Sequence, residues 1–350
     1  MKGNTEDKKY MHRCLELAYQ GLGRVAPNPM VGSVIVHDNT IIGEGFHQSF
    51  GEAHAERNAI GSVKDPELLR HARLYVNLEP CSHIGKTPPC TSLILEKRIP
   101  TVIIGTADPN RQVSGNGKSL LEKNGVRVIM GVLEDKCKSL NKRFFTWHLK
   151  NRPYIILKWA RSSDGFIDLE RPADSPPGPN WITSQHGLTL VHKWRSEEQA
   201  VMVGTNTVIK DNPLLNVRHW TGKDPLRVII DRSLKLGPHH HVFDNSQPTV
   251  VFTEKKTEDK DKTKYARIVF DDTAELQMLD HLYRENILSV IIEGGAYTLN
   301  RFIEKGLWDE ARIFTGPALF KAGVRSPEIT GKSIESQMID NSLLQVIYNF

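Results

Sequence analysis

Leu74-Tyr75-Val76-Asn77-Leu78 runs without a break into Glu79-Pro80-Cys81, and nine residues further on Cys90-Thr91-Ser92-Leu93-Ile94-Leu95-Glu96-Lys97 opens a helical pattern. A short apolar strand that ends in a polar loop and restarts as a helix is the repeating unit of an α/β fold. Two thiols bracket that loop. Upstream, His54 to Val63 reads as a helix with His54 and Glu56 in its first turn, where the positive end of the helix dipole favours anionic groups. Further out, Val34-Ile35-Val36 and Ile41-Ile42-Gly43 flank Asp38-Asn39 and predict a β-hairpin. Met11, Cys14, Leu15 and Ala18 recur at helical steps between Glu6 and Gly21. Downstream, strands are expected at Thr101 to Thr106 and Val126 to Met130. A hairpin followed by alternating helices and strands predicts a three-layer α/β sandwich.

The same stretch carries chemistry. His54, Cys81 and Cys90 offer one imidazole and two thiolates, a set that suits tetrahedral Zn²⁺ and leaves the fourth position to water. Glu56, two residues from the histidine, is placed to move protons at that water, whose pKa zinc lowers to about 7. Zinc nucleobase deaminases use this combination. Other readings weigh against it. A lone His-x-Glu is common, the Cys81–Cys90 spacing is longer than Cys-x-x-Cys, and His83 could complete a structural site as fourth ligand. The Ser82 to Pro89 loop, with imidazole, cation and hydroxyl groups, reads better as a binding loop. Asn28 in Pro27-Asn28-Pro29 and the Asp108-Pro109-Asn110 turn ring the same end of the sheet. Such residues usually only make turns, but here they are placed to read a heterocycle edge. Gly117-Lys118-Ser119 imitates a P-loop, yet Gln112 stands where the motif needs glycine, so the motif is rejected.

At 350 residues the chain suits two domains. The boundary falls near Trp147 to Pro153, giving domains 1–149 and 150–350. A hydrophobic share of 39% with 25% charged residues excludes a disordered chain. The first residues carry no apolar leader and no run approaches a membrane span of about 20 residues, so the default compartment is the cytoplasm and no membrane partner is expected. Four cysteines are too few for a disulfide framework; Cys14 and Cys137 read as buried apolar residues. A net charge of +5 fits a phosphorylated small substrate and lacks the density of a nucleic-acid surface.

The second half alternates strands and helices again. Strands are expected at Tyr154 to Trp159, Ala200 to Gly204, Leu226 to Ile230, Thr249 to Phe252 and Ala266 to Phe270, with a helix from Ser184 to Glu198. Ser163-Asp164-Gly165 reads as a turn and Pro172 to Asn180 as a surface loop. The buried strand Ser289 to Ile292 enters Glu293-Gly294-Gly295 ahead of a helix from Tyr297 to Lys305, a strand-to-helix turn able to cradle an anion. No Gly-x-Gly-x-x-Gly is present, which argues against a Rossmann site. Lys255 to Lys264 reads as solvated surface, and His239-His240-His241 as a turn without a role.

Pro27 to Gly32, Gly51 with His54-Ala55-Glu56, Pro80 to Cys90, and Asp108 to Gly117 resemble the bifunctional deaminase/reductase family of riboflavin biosynthesis. In the second half Lys158, Ser163-Asp164-Gly165, Trp181-Ile182-Thr183, Thr207, Asp211 to Leu215, Arg218 and Glu293-Gly294-Gly295 match its reductase part. The resemblance implies a cytidine-deaminase-like first domain and a dihydrofolate-reductase-like second one, with Zn²⁺ and NADPH as cofactors. It implies zinc on His54, Cys81 and Cys90, with Glu56 as the proton carrier. Asn28, His47, His83, Lys86, Asp108 and Asn110 would contact a diaminopyrimidinone ribosyl phosphate. In the reductase half Lys158, Arg195, Leu215, Arg218 and Glu293 would face substrate. Arg161, Trp181, Thr207, Asp211, Gly294, Gly295, Ala296, Tyr297, Thr298, Leu299, Asn300 and Arg301 would hold the cofactor. A homo-oligomer is implied as well. Arg161 and Pro179 depart from the family's usual residues, and the loop before Trp181 is longer. Two further readings stand beside this one: a deaminase acting on a nucleic-acid base, and a zinc-stabilised binding protein without catalysis.

Overall fold

A computed structural model describes residues 5–82, 88–110, 114–172 and 175–349. The candidates His83 and Lys86 lie outside the described residues. The chain divides into two compact units, Met1–Lys150 and Asn151–Phe350.

The strands of the first unit are β1 (Gly32–His37), β2 (Thr40–Phe46), β3 (Arg73–Leu78), β4 (Thr101–Thr106) and β5 (Arg127–Met130), in the order β2-β1-β3-β4-β5. β1 pairs antiparallel with β2 and β3, whereas β3, β4 and β5 run parallel. Asp38 and Asn39 close the hairpin with φ of 44° and 59°, the two positive values that define a type I′ turn. The helices are α1 (Thr5–Tyr19), α2 (Ala55–Gly61), α3 (Cys90–Glu96), α4 (Asn116–Lys123), α5 (Glu134–Leu140) and α6 (Lys142–Lys150). Strand side chains alternate between two cores, as a period of two requires. Leu74, Val76, Val102 and Ile104 pack with Ile60, Ile94 and Leu121 on one face. Tyr75 and Ile103 pack with Met11, Cys14 and Cys137 on the other. The three layers and the buried Cys14 and Cys137 follow the sequence reading. One glycine explains the close fit of α1: a Cβ on Gly32 would lie 2.1 Å from the Cys14 carbonyl oxygen.

The second unit is built on β6 (Tyr154–Arg161), β7 (Phe166–Asp168), β8 (Ala200–Gly204), β9 (Leu226–Ile230), β10 (Thr249–Thr253), β11 (Thr263–Arg267), β12 (Ser289–Ile292), β13 (Glu310–Thr315), β14 (Val324–Arg325), β15 (Lys332–Ile339) and β16 (Ser342–Tyr348). Nine of them form one sheet in the order β11-β10-β9-β8-β12-β6-β13-β16-β15, and β14 pairs with β7. From β11 to β13 the pairing is parallel throughout; β16 and β15 add antiparallel. Around it lie α7 (Gln185–Glu197), α8 (Thr205–Asp211), α9 (Ala274–Arg284) and α10 (Ala296–Glu304). Ser184 caps α7 by accepting a hydrogen bond from the Gly187 N–H. Strand β11 corrects the sequence reading, which set it three residues later. The apolar Ile268-Val269-Phe270 follows the strand, with Ile268 buried and Val269 59% exposed. Because β6, β12, β8 and β13 are parallel, their C-terminal ends share one edge, where an α/β sheet places its ligands.

Candidate active sites

In the first unit three elements end at one point. Cys81 follows β3, Cys90 is the first residue of α3, and His54 is the extended N-cap of α2 (φ −71°, ψ 159°). The sequence had placed His54 inside the first turn; as the N-cap it stands one residue ahead of the helix. His54 Nδ1 lies 3.5 Å from Cys81 Sγ and 3.3 Å from Cys90 Sγ, and the three donor atoms all fall within 4.8 Å of one another. Zn–N and Zn–S bonds of about 2.0–2.3 Å give a tetrahedral edge of roughly 3.5 Å, so the spacing and the soft donor set fit zinc. The Cys90 N–H donates to Cys81 Sγ at 3.3 Å. Hydrogen bonds from Cys90 and His54 hold the Cys81 thiol well below the usual thiol range, while Cys81 and burial push Cys90 up. Glu56 is buried against Cys90, and burial raises its carboxyl pKa, with the Cys81 charge adding to the effect.

The residues around this centre are held by the candidate His47 and by Asn77, Asn141 and Glu79, which the sequence reading passed over. His47, buried and kept neutral by burial, has Nδ1 3.0 Å from the Ala53 carbonyl and Nε2 3.0 Å from Asn28 Nδ2. A carbonyl only accepts, so Nδ1 carries the proton and Nε2 accepts from Asn28. That fixes the Asn28 amide. Its neighbour Met30 is clamped on both sides: Asn77 and Asn141 each donate to the Met30 carbonyl, and Asn141 Oδ1 accepts from its N–H. Glu79 does the same for the far loop, its carboxylate accepting from the N–H groups of Asp108, Gly115 and Lys118 at 3.4, 3.0 and 3.0 Å. Asp108 Oδ1 in turn accepts from the Asn110 N–H at 2.8 Å. The start of α4, which imitates a P-loop in sequence, is thus filled by the chain's own carboxylate.

In the second unit the C-terminal edge of the sheet gathers a polar cluster. Arg195 grips Glu293 bidentately, Nε to Oε1 at 2.7 Å and the second nitrogen to Oε2 at 2.8 Å, with Lys158 Nζ 3.8 Å away. Burial alone would raise Glu293; Arg195 and Lys158 outweigh it and hold it at about 2. Beside it, Gly294 and Gly295 turn into α10. A Cβ on Gly294 would sit 2.9 Å from Val203 Cα, and the Gly295 N–H donates to Thr207 Oγ1 at 3.0 Å. With glycine at both positions the turn into α10 carries no side chain of its own, and Thr207 stands on its exposed side at Gly295, a helix start whose chemistry fits an anion such as a dinucleotide diphosphate. Trp181 and Tyr297 are exposed at 59% and 78%, open for stacking. Arg161 Nε donates to Thr315 Oγ1. Asp211 is paired with Arg171, which also binds Asp168 and the carbonyls of Gly178 and Lys210, tying the Pro-rich loop to α8. Later residues of α10 point elsewhere: Leu299 is in the core and Arg301 is engaged by Glu275, so of the Gly294 to Arg301 run it is the first turn that borders the edge.

Residues 153–346 match the RibD C-terminal domain family, and residues 4–106 match the cytidine and deoxycytidylate deaminase zinc-binding region. The riboflavin biosynthesis protein RibD of Aquifex aeolicus is 38% identical over 337 residues, covering 95% of this chain and 93% of that protein. This chain belongs to the RibD family. RibD of Synechocystis is also 38% identical, over 95% of this chain and 90% of its own. A crystal structure from Thermotoga maritima, described as a diaminohydroxyphosphoribosylaminopyrimidine deaminase/5-amino-6-(5-phosphoribosylamino)uracil reductase, superposes with a TM-score of 0.88 at 39% identity, with 99% of both chains covered. As a RibD the chain is a bifunctional enzyme of riboflavin biosynthesis, a zinc-dependent deaminase joined to an NADPH-using reductase. Its folds are cytidine-deaminase-like and dihydrofolate-reductase-like, and its substrate is a small pyrimidine. Membership of the family replaces the readings as a nucleic-acid deaminase and as a non-catalytic zinc protein. Among the described residues no helix is long and apolar enough to cross a membrane.

Proposed function

We propose that residues 1–149 deaminate 2,5-diamino-6-ribosylamino-4-pyrimidinone 5′-phosphate at C2 and that residues 150–350 reduce the ribosyl chain of the product to ribityl. The convergence of His54, Cys81 and Cys90 beside the buried Glu56 carries this reading. His54, Cys81 and Cys90 hold the zinc, which when bound supplies Lewis acidity and an activated water. Glu56, its pKa raised by burial, takes a proton from the attacking water and delivers it to the departing amine, so that water adds at C2 and ammonia leaves. Asn28, aimed by His47, hydrogen-bonds the pyrimidine edge together with Asp108 and Asn110; His83 and Lys86 complete the ribosyl phosphate contacts.

In the reductase half NADPH would supply the hydride that C1′ accepts as the C1′–O4′ bond opens and O4′ takes a proton from water. The Gly294 to Tyr297 turn and Thr207 would hold the cofactor's diphosphate, together with Trp181 and Asp211. Lys158, Arg195, Leu215, Arg218 and Glu293 orient the ribosyl chain, Glu293 staying ionised so that it accepts from sugar hydroxyls. The enzyme works in the cytoplasm as a homo-oligomer. A coupled assay on the purified chain with the diaminopyrimidinone ribosyl phosphate tests the reading: one ammonia released per NADPH oxidised is expected. Ammonia release without NADPH oxidation would remove the reductase half of the proposal, and neither signal with zinc bound would remove both.

A further inference from the structure

Five consecutive residues of the second unit, Leu214 to Arg218, lie outside any helix or strand. Each has a backbone group caught by a side chain from elsewhere. Arg227 Nε donates to the Leu214 carbonyl at 3.0 Å, Gln247 Nε2 to that of Leu215 at 3.2 Å, and Arg195 to that of Asn216 at 3.1 Å. On the donor side, the Val217 N–H gives to Asp224 Oδ1 at 2.7 Å and the Arg218 N–H to His192 Nδ1 at 3.2 Å. Leu215 sits in left-handed backbone, φ 53°, although it is 2% exposed. A non-glycine residue keeps such a conformation only where its surroundings over-determine it. Arg227 is itself fixed, fully buried and bound to Asp244 and Ser246.

We propose that Leu214–Arg218 is a preformed substrate strap, and that His192 is the positioning residue that aims Arg218 at the phosphorylated ribosyl chain. The inference rests on the reading of Arg218 as a substrate contact. His192 is suited to the task because it sits on α7 three residues before Arg195, on the same face, so one helix holds both the Arg195 cation and the backbone of Arg218, whose guanidinium donates to Asn216 Oδ1 of the strap at 3.1 Å. Its ring is fully buried, and burial together with Arg195 and Arg218 holds it near 4, leaving Nδ1 an acceptor at neutral pH. Asp224, exposed at the surface, secures the residue before Arg218. The strap gains rigidity without any ladder of backbone hydrogen bonds, and the ordering cost of binding falls accordingly.

The test uses the full chain, the deaminated intermediate 5-amino-6-(5-phosphoribosylamino)uracil, and NADPH. Arg218→Ala is the control for the underlying reading; if it leaves the KM for the intermediate unchanged, the substrate assignment of Arg218 fails and the strap has no object. With that control positive, His192→Leu is expected to raise KM about tenfold, the loss of one buried hydrogen bond, with kcat and the KM for NADPH held. His192→Asn, whose Oδ1 takes the place of Nδ1, restores it. Asp224→Ala, a surface change that leaves folding intact, raises KM about threefold and decides the matter if His192→Leu fails to fold. An unchanged KM in a folded His192→Leu overturns the proposal, and so does an unchanged KM in Asp224→Ala where His192→Leu does not fold. So does a matching loss of NADPH affinity, which would mark His192 as general packing.

Discussion

The two sites solve the placement of polar groups in opposite ways. The zinc centre is assembled from a short stretch, His54 to Cys90, whose ends meet because α2, β3 and α3 are neighbours in a locally wound sheet. Its charges are few, and one carboxylate, Glu79, ties the strand that delivers Cys81 to the loop that carries Asp108. The reductase edge draws on residues from Lys158 to Glu293, spread over β6, α7, α8 and the turn after β12, and keeps them in place with paired charges and a strap. Local assembly makes a site robust to distant change; dispersed assembly makes each ionic partner matter to the fold as well as to binding.

The sharpest way to break the contrast is Glu56→Gln. Loss of the proton carrier should cut ammonia release by about 10²–10⁴-fold, with zinc content and reduction of the deaminated intermediate untouched; metal analysis and the two separate assays decide it. Collapse of both activities would mean that the units are not independent in function. Next comes Arg195→Leu, which leaves the buried Glu293 facing only Lys158. Breaking a buried pair costs about 3–5 kcal/mol, so denaturant unfolding should shift in the second unit, as read by hydrogen exchange in α7, while the first unit keeps its protection.

The same reasoning fixes a pH dependence. Glu293 is held at about 2, below its unfolded value near 4.3. Its stabilisation is present above that unfolded value and is lost as pH falls toward 2. His192 is pushed down to about 4 from near 6.5; the unfolded chain binds that proton first, so stability falls as pH drops from 6.5 through 4. Acid titration of melting should therefore weaken the second unit from about pH 6.5 downward. A flat profile between pH 7 and 4.5 would show that His192 does not differ between folded and unfolded chains, and a flat profile from pH 4.3 down to 2 would show the same for Glu293. The smallest effect is expected at Glu79→Gln, which keeps one acceptor but turns an N–H toward backbone donors. KM for the deaminase substrate should rise about tenfold, in line with the loss of one charge-assisted hydrogen bond, with zinc retained. Loss of zinc instead would assign Glu79 to the metal loop itself.

Much of the first unit was legible because its signals are local. Asp38-Asn39 is a turn by composition, the strand at Leu74 is a short apolar run that ends in a polar loop, and the metal donors lie within one stretch from His54 to Cys90. What went unread there was the use of single polar residues inside apolar segments. Asn77 stands among Leu74, Tyr75, Val76 and Leu78 and is fully buried; an amide in such a run is itself a sign that a backbone elsewhere needs a partner. In the second unit the strand order could not be read at all, since β6 pairs with β12 and β13 and with no strand close in sequence. The side chains that clamp Leu214 to Arg218 share no periodicity, so His192, Asp224, Arg227 and Gln247 carry no motif. The misplacement of β11 has the same origin: Ile268-Val269-Phe270 is more apolar than Thr263 to Arg267, but parallel pairing with β10, not hydrophobicity, sets where an edge strand begins.

The central place of β6 also bears on how the polypeptide emerges from the ribosome. Tyr154–Leu157 is completely or almost completely buried, yet its two neighbours begin only at Ser289 and Glu310. At about 5–20 residues per second, translation leaves this apolar strand without either neighbour for on the order of ten seconds. The deaminase sheet, by contrast, gains each new strand beside one already made. A nascent chain halted before Ser289 would carry a finished first half and a second half in which β6 lacks both neighbours and β8 lacks one, a form exposed to aggregation and to the cell's proteases.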